Sequence, residues 1–492
     1  MLKKYKQEET PLLDAMHKYV DDGALAFHTP GHKQGKGMHP EFKKLVTDVG
    51  LAMEVSLMEE LDDLHEARTC LKAAQDLAAE LYGADESYFV VNGTTGAIQA
   101  MILAVVNPGD KILVPRNAHR SVIGGIMLSG AIPVFMQPEI DEQLGIAMAL
   151  TPAIVAQTVA KHLDAKAVLV VNPTYYGVAA DLKAIADIVH ARAMLLLVDE
   201  AHGPHLKFHD ALPMQALDAG ADLVAQSTHK ILGSMTQSSI LHANKARLDM
   251  ERLRAMLSLV QSTSPNYLLM ASLDVARMQV ATEGKVLLAR AVDLANWARV
   301  EINKIVGLYC FGVEKMAASG TYTLDVTKLT VTVKELGLSG AEAEHILRHE
   351  YGIQSELSDV YNVLFIISYA DHKSEVETLV NALKMLAQNH ATLVRKIEKQ
   401  IVVYPAVPVA KLSPRQALFA SKQTIAFKEA QGRICAEVIT FYPPGIPIIC
   451  PGEVISQEVI EYCHRMQEVG LKVVGPADVT LKKIKVVKIL EE

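Results

Sequence analysis

Cysteine is scarce. Cys70, Cys310, Cys435, Cys450 and Cys463 are the only five in 492 residues, an odd number with no C-x-x-C pair. That excludes a zinc ribbon or a disulfide framework and suits a reducing, cytoplasmic setting. Long apolar runs are missing too. No stretch approaches the ~20 apolar residues that span a bilayer; runs such as Met194 to Val198 have the length of buried strands. The N-terminal MLKKYKQEETPLLDAM carries charges throughout and lacks the apolar core of a signal peptide. There is no basic tract. Lys and Arg number 48 against 56 Asp and Glu, a formal net charge of −8, which argues against nucleic acid as the main partner. Internal repeats and low-complexity tracts are absent, and Trp297 is the single tryptophan.

What is present is an ordinary globular mixture, 50% apolar and 21% charged, long enough for roughly two to four domains. Residues 85 to 240 repeat one pattern: a β-rich apolar run, small or polar residues, then a helical stretch. The runs are Ser87–Val91, Lys111–Val114, Ala167–Val171, Ala193–Val198 and Leu223–Ala225. Near-continuous apolar strands alternating with helices predict an α/β domain with a mainly parallel sheet covered on both faces. Ligands of such sheets lie beyond the carboxyl ends of the strands. After residue 280 a long helical stretch, Ala281 to Ile305, leads into strands Thr323–Val333 and Val363–Ser368 and helices Ala341–His349 and Ser374–Asn389, a small α+β module. From about Val402 the chain is rich in Pro and β-branched residues. The expected division is 1–280, 281–390 and 391–492.

The strand ends carry the chemistry. They read Asn92-Gly93-Thr94-Thr95-Gly96, Pro115-Arg116-Asn117-Ala118-His119, Asn172-Pro173-Thr174-Tyr175-Tyr176, Asp199-Glu200-Ala201-His202 and Gln226-Ser227-Thr228-His229-Lys230. Lys230 in a Ser/Thr/His turn, with Asp199 ending an upstream strand, suits pyridoxal 5'-phosphate. Such a lysine condenses with the cofactor aldehyde. A carboxylate opposite the pyridine nitrogen keeps it protonated, because a nearby negative charge favours the cation. Gly93-Thr94-Thr95-Gly96, before a helix expected over Ala97–Val106, offers backbone N–H groups and hydroxyls to a phosphate, and Ser227 adds another.

Ser227-Thr228-His229-Lys230-Ile231-Leu232-Gly233-Ser234-Met235-Thr236-Gln237-Ser238-Ser239 resembles the cofactor-attachment signature of bacterial ornithine/lysine/arginine decarboxylases. Phe27-His28-Thr29-Pro30-Gly31-His32-Lys33, Asp199-Glu200-Ala201-His202-Gly203 and Tyr442-Pro443-Pro444-Gly445 also resemble family segments, and the similarity runs from about residue 8 to 490. It is to the short form, without the N-terminal wing of longer relatives, and among short forms to those acting on arginine in polyamine biosynthesis. The resemblance implies an aspartate-aminotransferase-like large domain with small and C-terminal α+β domains. It implies that Lys230 carries the cofactor and Asp199 pairs with the ring nitrogen. His119 would stack on one ring face and Ala201 on the other, and Thr95, Gly96, Ser227 and His229 would hold the phosphate end. Where larger relatives read Gly-Thr-Ser-Thr this chain reads Gly-Thr-Thr-Gly, so Gly96 can offer only its backbone N–H. Ser262 or Thr263 would reach a neighbouring subunit's phosphate. That implies a homodimer or larger homo-oligomer with active sites at the interface.

The expected reaction is loss of CO2 from a basic amino acid, most simply L-arginine to agmatine, with lysine or ornithine as alternative substrates. Lys230, His229 and His202 are the candidate donors of a proton to Cα. Glu356, Glu453 and Asp63 are the acidic candidates for a distal guanidinium or ammonium, arginine favouring a bidentate carboxylate. A metal site at Asp199, His202, His205 and His209 has suitable ligand types, but the lysine partner explains Asp199 better, so no metal is expected. His28 and His32 are separated by Pro30-Gly31 and form no zinc-binding helical pair. Their expected place is a structured turn near the site mouth. An aminotransferase or aldolase-type lyase of the same fold, or a cofactor-binding protein without turnover, are the competing readings.

Overall fold

The computed structural model describes residues 4–317, 320–390, 404–442 and 445–488. Seven strands build the main sheet: β1 (Glu86–Val90), β2 (Lys111–Pro115), β3 (Ile132–Met136), β4 (Ala167–Val171), β5 (Leu195–Asp199), β6 (Leu223–Gln226) and β7 (Ser239–Ala243). Hydrogen bonds order them β1-β7-β6-β5-β4-β2-β3. Strand β2 runs parallel to β3 and β4, and β5 parallel to β6. Strand β7 breaks the pattern, antiparallel to both β6 and β1. The fold is α/β with a mainly parallel sheet, as the apolar runs predicted.

Strands β3 and β7 were not foreseen, for different reasons. Strand β3 pairs with β2 along one edge and is half-exposed, with Pro133 inside it, so it shows no buried apolar run. Strand β7, Ser-Ile-Leu-His-Ala, is fully buried but polar at two positions. Its Ser239 and His242 are satisfied by other buried side chains rather than by solvent.

The chain forms two compact units. The first comprises Met1–Val105, Leu197–His209 and Met214–Leu287, the second Val106–Leu196, Asp210–Pro213 and Leu288–Glu492. Strand β5 contributes to each along its own length. Leu195 N donates to Lys166 O in the second, and Leu197–Asp199 pair with Leu223–Ala225 in the first.

In the first unit, helix Pro11–Asp21 packs Leu12 and Met16 with Leu61, Leu71, Phe89, Ile240 and Tyr267. Its start is fixed by a buried ion pair. Arg277 donates to Asp274 at 2.6 Å and to Gln7 O and Glu9 O, while Asp274 accepts Leu12 N. Helix Cys70–Tyr82 ends on Gly83 at φ +80°, a left-handed cap that glycine adopts without strain. The long helix is Tyr267–Ile302, so the texture change near residue 280 falls inside it.

In the second unit, Tyr309–Cys310, Lys328–Thr332, Asn362–Ile366 and Leu357–Ser358 form an antiparallel sheet with helices Gly340–Glu350 and Lys373–His390. A capping box of Ser339 and Glu342 starts the first of these helices. Val331, Val363, Leu347 and Leu383 fill that core. Further on, Lys422–Ala426 pairs with Lys483–Val487, and Ile439–Tyr442 lies between Ile446–Ile449 and Lys472–Val474, beside helix Gln457–Glu468. The expected boundary at 391, the onset near Val402 and the residues Pro443 and Pro444 lie outside the described residues. Among the described residues no helix is long and apolar enough to cross a membrane. All five cysteines are buried and unbridged.

Candidate active site

The site is clearest in the first unit. Beyond β1, helix Gly93–Val105 begins at Gly93, not at Ala97 as expected. The Gly-Thr-Thr-Gly segment is therefore the helix's own first turn, where N–H groups lack helical partners. Thr94, not Thr95, faces inward. Its hydroxyl lies 2.5 Å from Ser227 Oγ and 2.9 Å from Ser239 Oγ, whereas Thr95 is exposed. Gly96 has a steric cause. A Cβ there would stand 2.0 Å from Asn92 Oδ1. Asn92 Nδ2 donates to Val260 O at 2.8 Å, while its buried Oδ1 has no partner among the described residues. The strand exit is clamped as well: Gln261 accepts Val91 N, Gln237 Nε2 donates to Val91 O, and Gly93 N donates to Gln237 O.

Asp199 ends β5 and is 4% exposed, its Oδ1 accepting Ala201 N at 3.2 Å. Burial pushes its carboxyl above the ordinary range, and the Lys230 charge partly opposes the shift. Lys230 sits in the short helix Thr228–Ile231 after β6. Its Nζ lies 2.9 Å from His202 Nε2, and His202 is buried three residues past Asp199. His229 Nδ1 donates to Ser238 O at 2.7 Å, which puts the proton on Nδ1 and leaves Nε2 a lone pair. Burial pushes the His229 pKa down, Lys230 adds to the shift and the Ser238 hydrogen bond opposes it, which favours the neutral ring.

The first unit thus brings Asp199, Ala201, His202, Ser227, His229 and Lys230 onto two adjoining strand ends, with Thr94 against Ser227. Ser262 and Thr263 are exposed. His65 Nε2 donates to Ser262 O at 3.0 Å, and Asp63 accepts His65 N, so Asp63 and Ser262 share one neighbourhood. The turn at His28 and His32 is structured: His32 pairs with Glu54 at 2.6 Å, and Tyr19 bonds His28.

Three expected site residues lie in the second unit. His119 caps helix Arg120–Ser129, its Nδ1 accepting Ser121 N at 3.2 Å with Ser121 Oγ at 2.8 Å. Glu356 is exposed beside a cavity of about 350 Å³ that Asp371 and Glu375 also line. Glu453 sits in a different setting from Glu356. It is buried, and both its oxygens are taken by Arg116, at 2.6 and 2.9 Å, with Cys450 N adding 2.7 Å on Oε2. Its charge is compensated by the Arg116 guanidinium, which suits a structural part better than a substrate-binding one. Arg116, Thr94 and Asn92 were all in the strand-end segments but were not singled out, because sequence does not say which side chain of a turn faces in.

The fold recurs in solved structures. The alanine–glyoxylate aminotransferase of Nostoc sp. matches 66% of this chain and 89% of its own with a TM-score of 0.53 at 18% identity. The lysine decarboxylase of Francisella novicida matches 97% and 81% with a TM-score of 0.84 at 23% identity. The fold is aspartate-aminotransferase-like. Residues 10–375 match the Orn/Lys/Arg decarboxylase major domain and 397–477 its C-terminal domain. An arginine decarboxylase of Bacillus subtilis is 46% identical over 98% of both chains. The chain belongs to the Orn/Lys/Arg decarboxylase family.

Proposed function

We propose that this enzyme decarboxylates L-arginine to agmatine and CO2, with pyridoxal phosphate on Lys230. The observation that carries the reading is the placement of Lys230 Nζ against His202 Nε2 beside the buried Asp199. The identity to an arginine decarboxylase, against the lower identity to a lysine decarboxylase, favours arginine as substrate.

The residues present fit the cofactor. A cation against Asp199 relieves the burial that holds its carboxyl up. The Thr94–Ser227 hydroxyl pair and the first-turn N–H groups of Gly93–Val105 suit a phosphate. When bound, the protonated pyridine ring supplies an electron sink for the charge left at Cα as CO2 departs.

The protein's own groups handle protons and position. His202 Nε2 accepts a proton of Lys230 Nζ and so frees the amine. The same pair returns a proton later. His229 is held by Ser238 O through Nδ1, and burial favours its neutral form with a lone pair on Nε2, which suits a positioning part better than proton delivery. Glu356 and Asp63 are the acidic candidates for the substrate's cationic end.

A homo-oligomer in the cytoplasm accords with this reading. Leu25, Phe27 and Leu45 are 74, 92 and 78% exposed on the N-terminal segment, apolar side chains that a partner surface could cover. The three-part division 1–280, 281–390 and 391–492 is retained as the working domain scheme. The test is purified chain with pyridoxal phosphate and arginine, lysine or ornithine separately, amines resolved by mass. Agmatine with CO2 is expected. Cadaverine or putrescine as the main product, or a keto acid, contradicts the reading.

A further inference from the structure

Behind the strand ends of the first unit runs a chain of four buried side chains. Ser87 on β1, His242 on β7, Gln226 at the end of β6 and Glu200 just past β5 are each at most 4% exposed. Ser87 Oγ lies 2.7 Å from His242 Nδ1, and His242 Nε2 lies 3.1 Å from Gln226 Oε1. Gln226 Nε2 donates to Glu200 Oε2 at 2.7 Å, and Ala216 N donates to Oε1 at 2.7 Å. One side chain comes from each of four adjacent strands or their ends. The links have one direction. The Gln226 oxygen needs a donor, so His242 carries its proton on Nε2, and Nδ1 accepts the Ser87 hydroxyl. Burial pushes the His242 pKa down to about 3, which keeps the ring neutral.

The chain adjoins the reactive residues in sequence and space. Glu200 follows Asp199, and Gln226 precedes Ser227. The turn that Glu200 opens carries Ala201 and His202. It is pinned again at its far end: Gly203 N donates to Glu200 O, a Cβ at Gly203 would stand 2.5 Å from Glu200 Cγ, and Tyr82 donates to Pro204 O at 2.8 Å. The Tyr82 ring in turn lies 4.6 Å from that of His242. A fully satisfied buried network of this kind specifies one arrangement of the backbone around it.

We propose that Glu200 and Gln226 are positioning residues, fixing the 199–204 turn and the end of β6 so that Asp199, His202 and Lys230 keep their mutual geometry. The proposal rests on reading Lys230 as the reactive lysine. Glu200→Gln is tolerated because the chain can reverse. The amide introduced at position 200 would donate to a turned Gln226 oxygen, Gln226 to His242 Nε2, and His242 Nδ1–H to Ser87. Gln226→Leu cannot be repaired, since it strands Glu200 Oε2 and the His242 N–H together.

The test uses the full-length chain with two readouts. The first, without cofactor, is the rate at which acetic anhydride modifies Lys230, read by peptide mass. The second is the pyridoxal phosphate dissociation constant and absorbance maximum. Gln226→Leu and Glu200→Ala are expected to speed Lys230 modification about tenfold and weaken cofactor binding about tenfold or more, whereas Glu200→Gln stays near wild type. Should Gln226→Leu not fold, Ser87→Ala at the far end of the chain is expected to give the same changes at about threefold. Folded Gln226→Leu or Ser87→Ala with wild-type values on both readouts overturns the proposal. So does a Glu200→Gln variant as impaired as Glu200→Ala. A wild-type chain that takes up no pyridoxal phosphate sinks the functional reading instead, and the modification rates still judge the network.

Discussion

Glu453→Ala separates a structural carboxylate from a substrate-binding one. Its partner Arg116 is itself buried, donates further to Ile448 O at 2.7 Å, and lies 4.6 Å over the Phe135 ring. Removing the carboxylate leaves this guanidinium buried with its charge uncompensated and takes the acceptor from Cys450 N. Breaking a buried pair from one side costs about 3–5 kcal/mol, whereas replacing both partners by apolar residues of similar volume is often neutral. The melting midpoint is therefore expected to fall by roughly 3–5 °C in Glu453→Ala. It should recover most of that loss in Arg116→Met/Glu453→Leu. The assay is thermal unfolding by circular dichroism, paired with steady-state decarboxylation of arginine below the transition. The arginine KM of the folded variant should stay within about threefold of wild type, since the structural account gives Glu453 no uniform binding to remove. A Glu453→Ala chain that melts like wild type while its KM for arginine rises about a hundredfold would make Glu453 a substrate ligand instead.

Three further outcomes are expected. Gly96→Ala should displace the Asn92 amide from Val260 O and cost about 1–3 kcal/mol in urea unfolding, and Asn92→Ala in the same chain should relieve the clash; an unchanged Gly96→Ala midpoint contradicts the steric account. Burial pushes the His242 pKa down to about 3 in the folded chain, against ~6.5 when unfolded. The unfolded chain thus binds the extra proton first, and this stability is complete above about pH 6.5 and lost as pH falls toward 3. Urea midpoints of wild type should fall more steeply from pH 6.5 to 5 than those of His242→Gln, and parallel slopes would contradict it. His229→Ala should lower kcat modestly and leave single-turnover protonation of the product in place, whereas loss of protonation would return the donor role to His229.

The sheet was legible because buried parallel strands must be apolar almost throughout. Ala167–Val171 and the run ending at Asp199 announce themselves by composition. Strand β7 did not, because its polar side chains are paired inside the protein, a fact that only the fold creates. The strand-end rule located the right segments, yet it did not rank residues within a turn. Thr94 and Thr95 are adjacent and chemically equal in sequence, and helix phase alone turns one toward Ser227 and the other to water. Acidic residues were the least legible. Glu453 and Glu356 look alike in a sequence, but one is neutralised by Arg116 and the other is exposed beside a cavity.

Lys230, bonded to His202 and near the buried Asp199, is the proposed reactive lysine. Its most direct test is borohydride reduction of the purified chain with pyridoxal phosphate, followed by peptide mass mapping. A pyridoxyl group is expected on Lys230, absent in Lys230→Ala together with the visible absorbance. A label spread over other lysines with Lys230 unmodified, or a wild-type chain that takes no label, would contradict it.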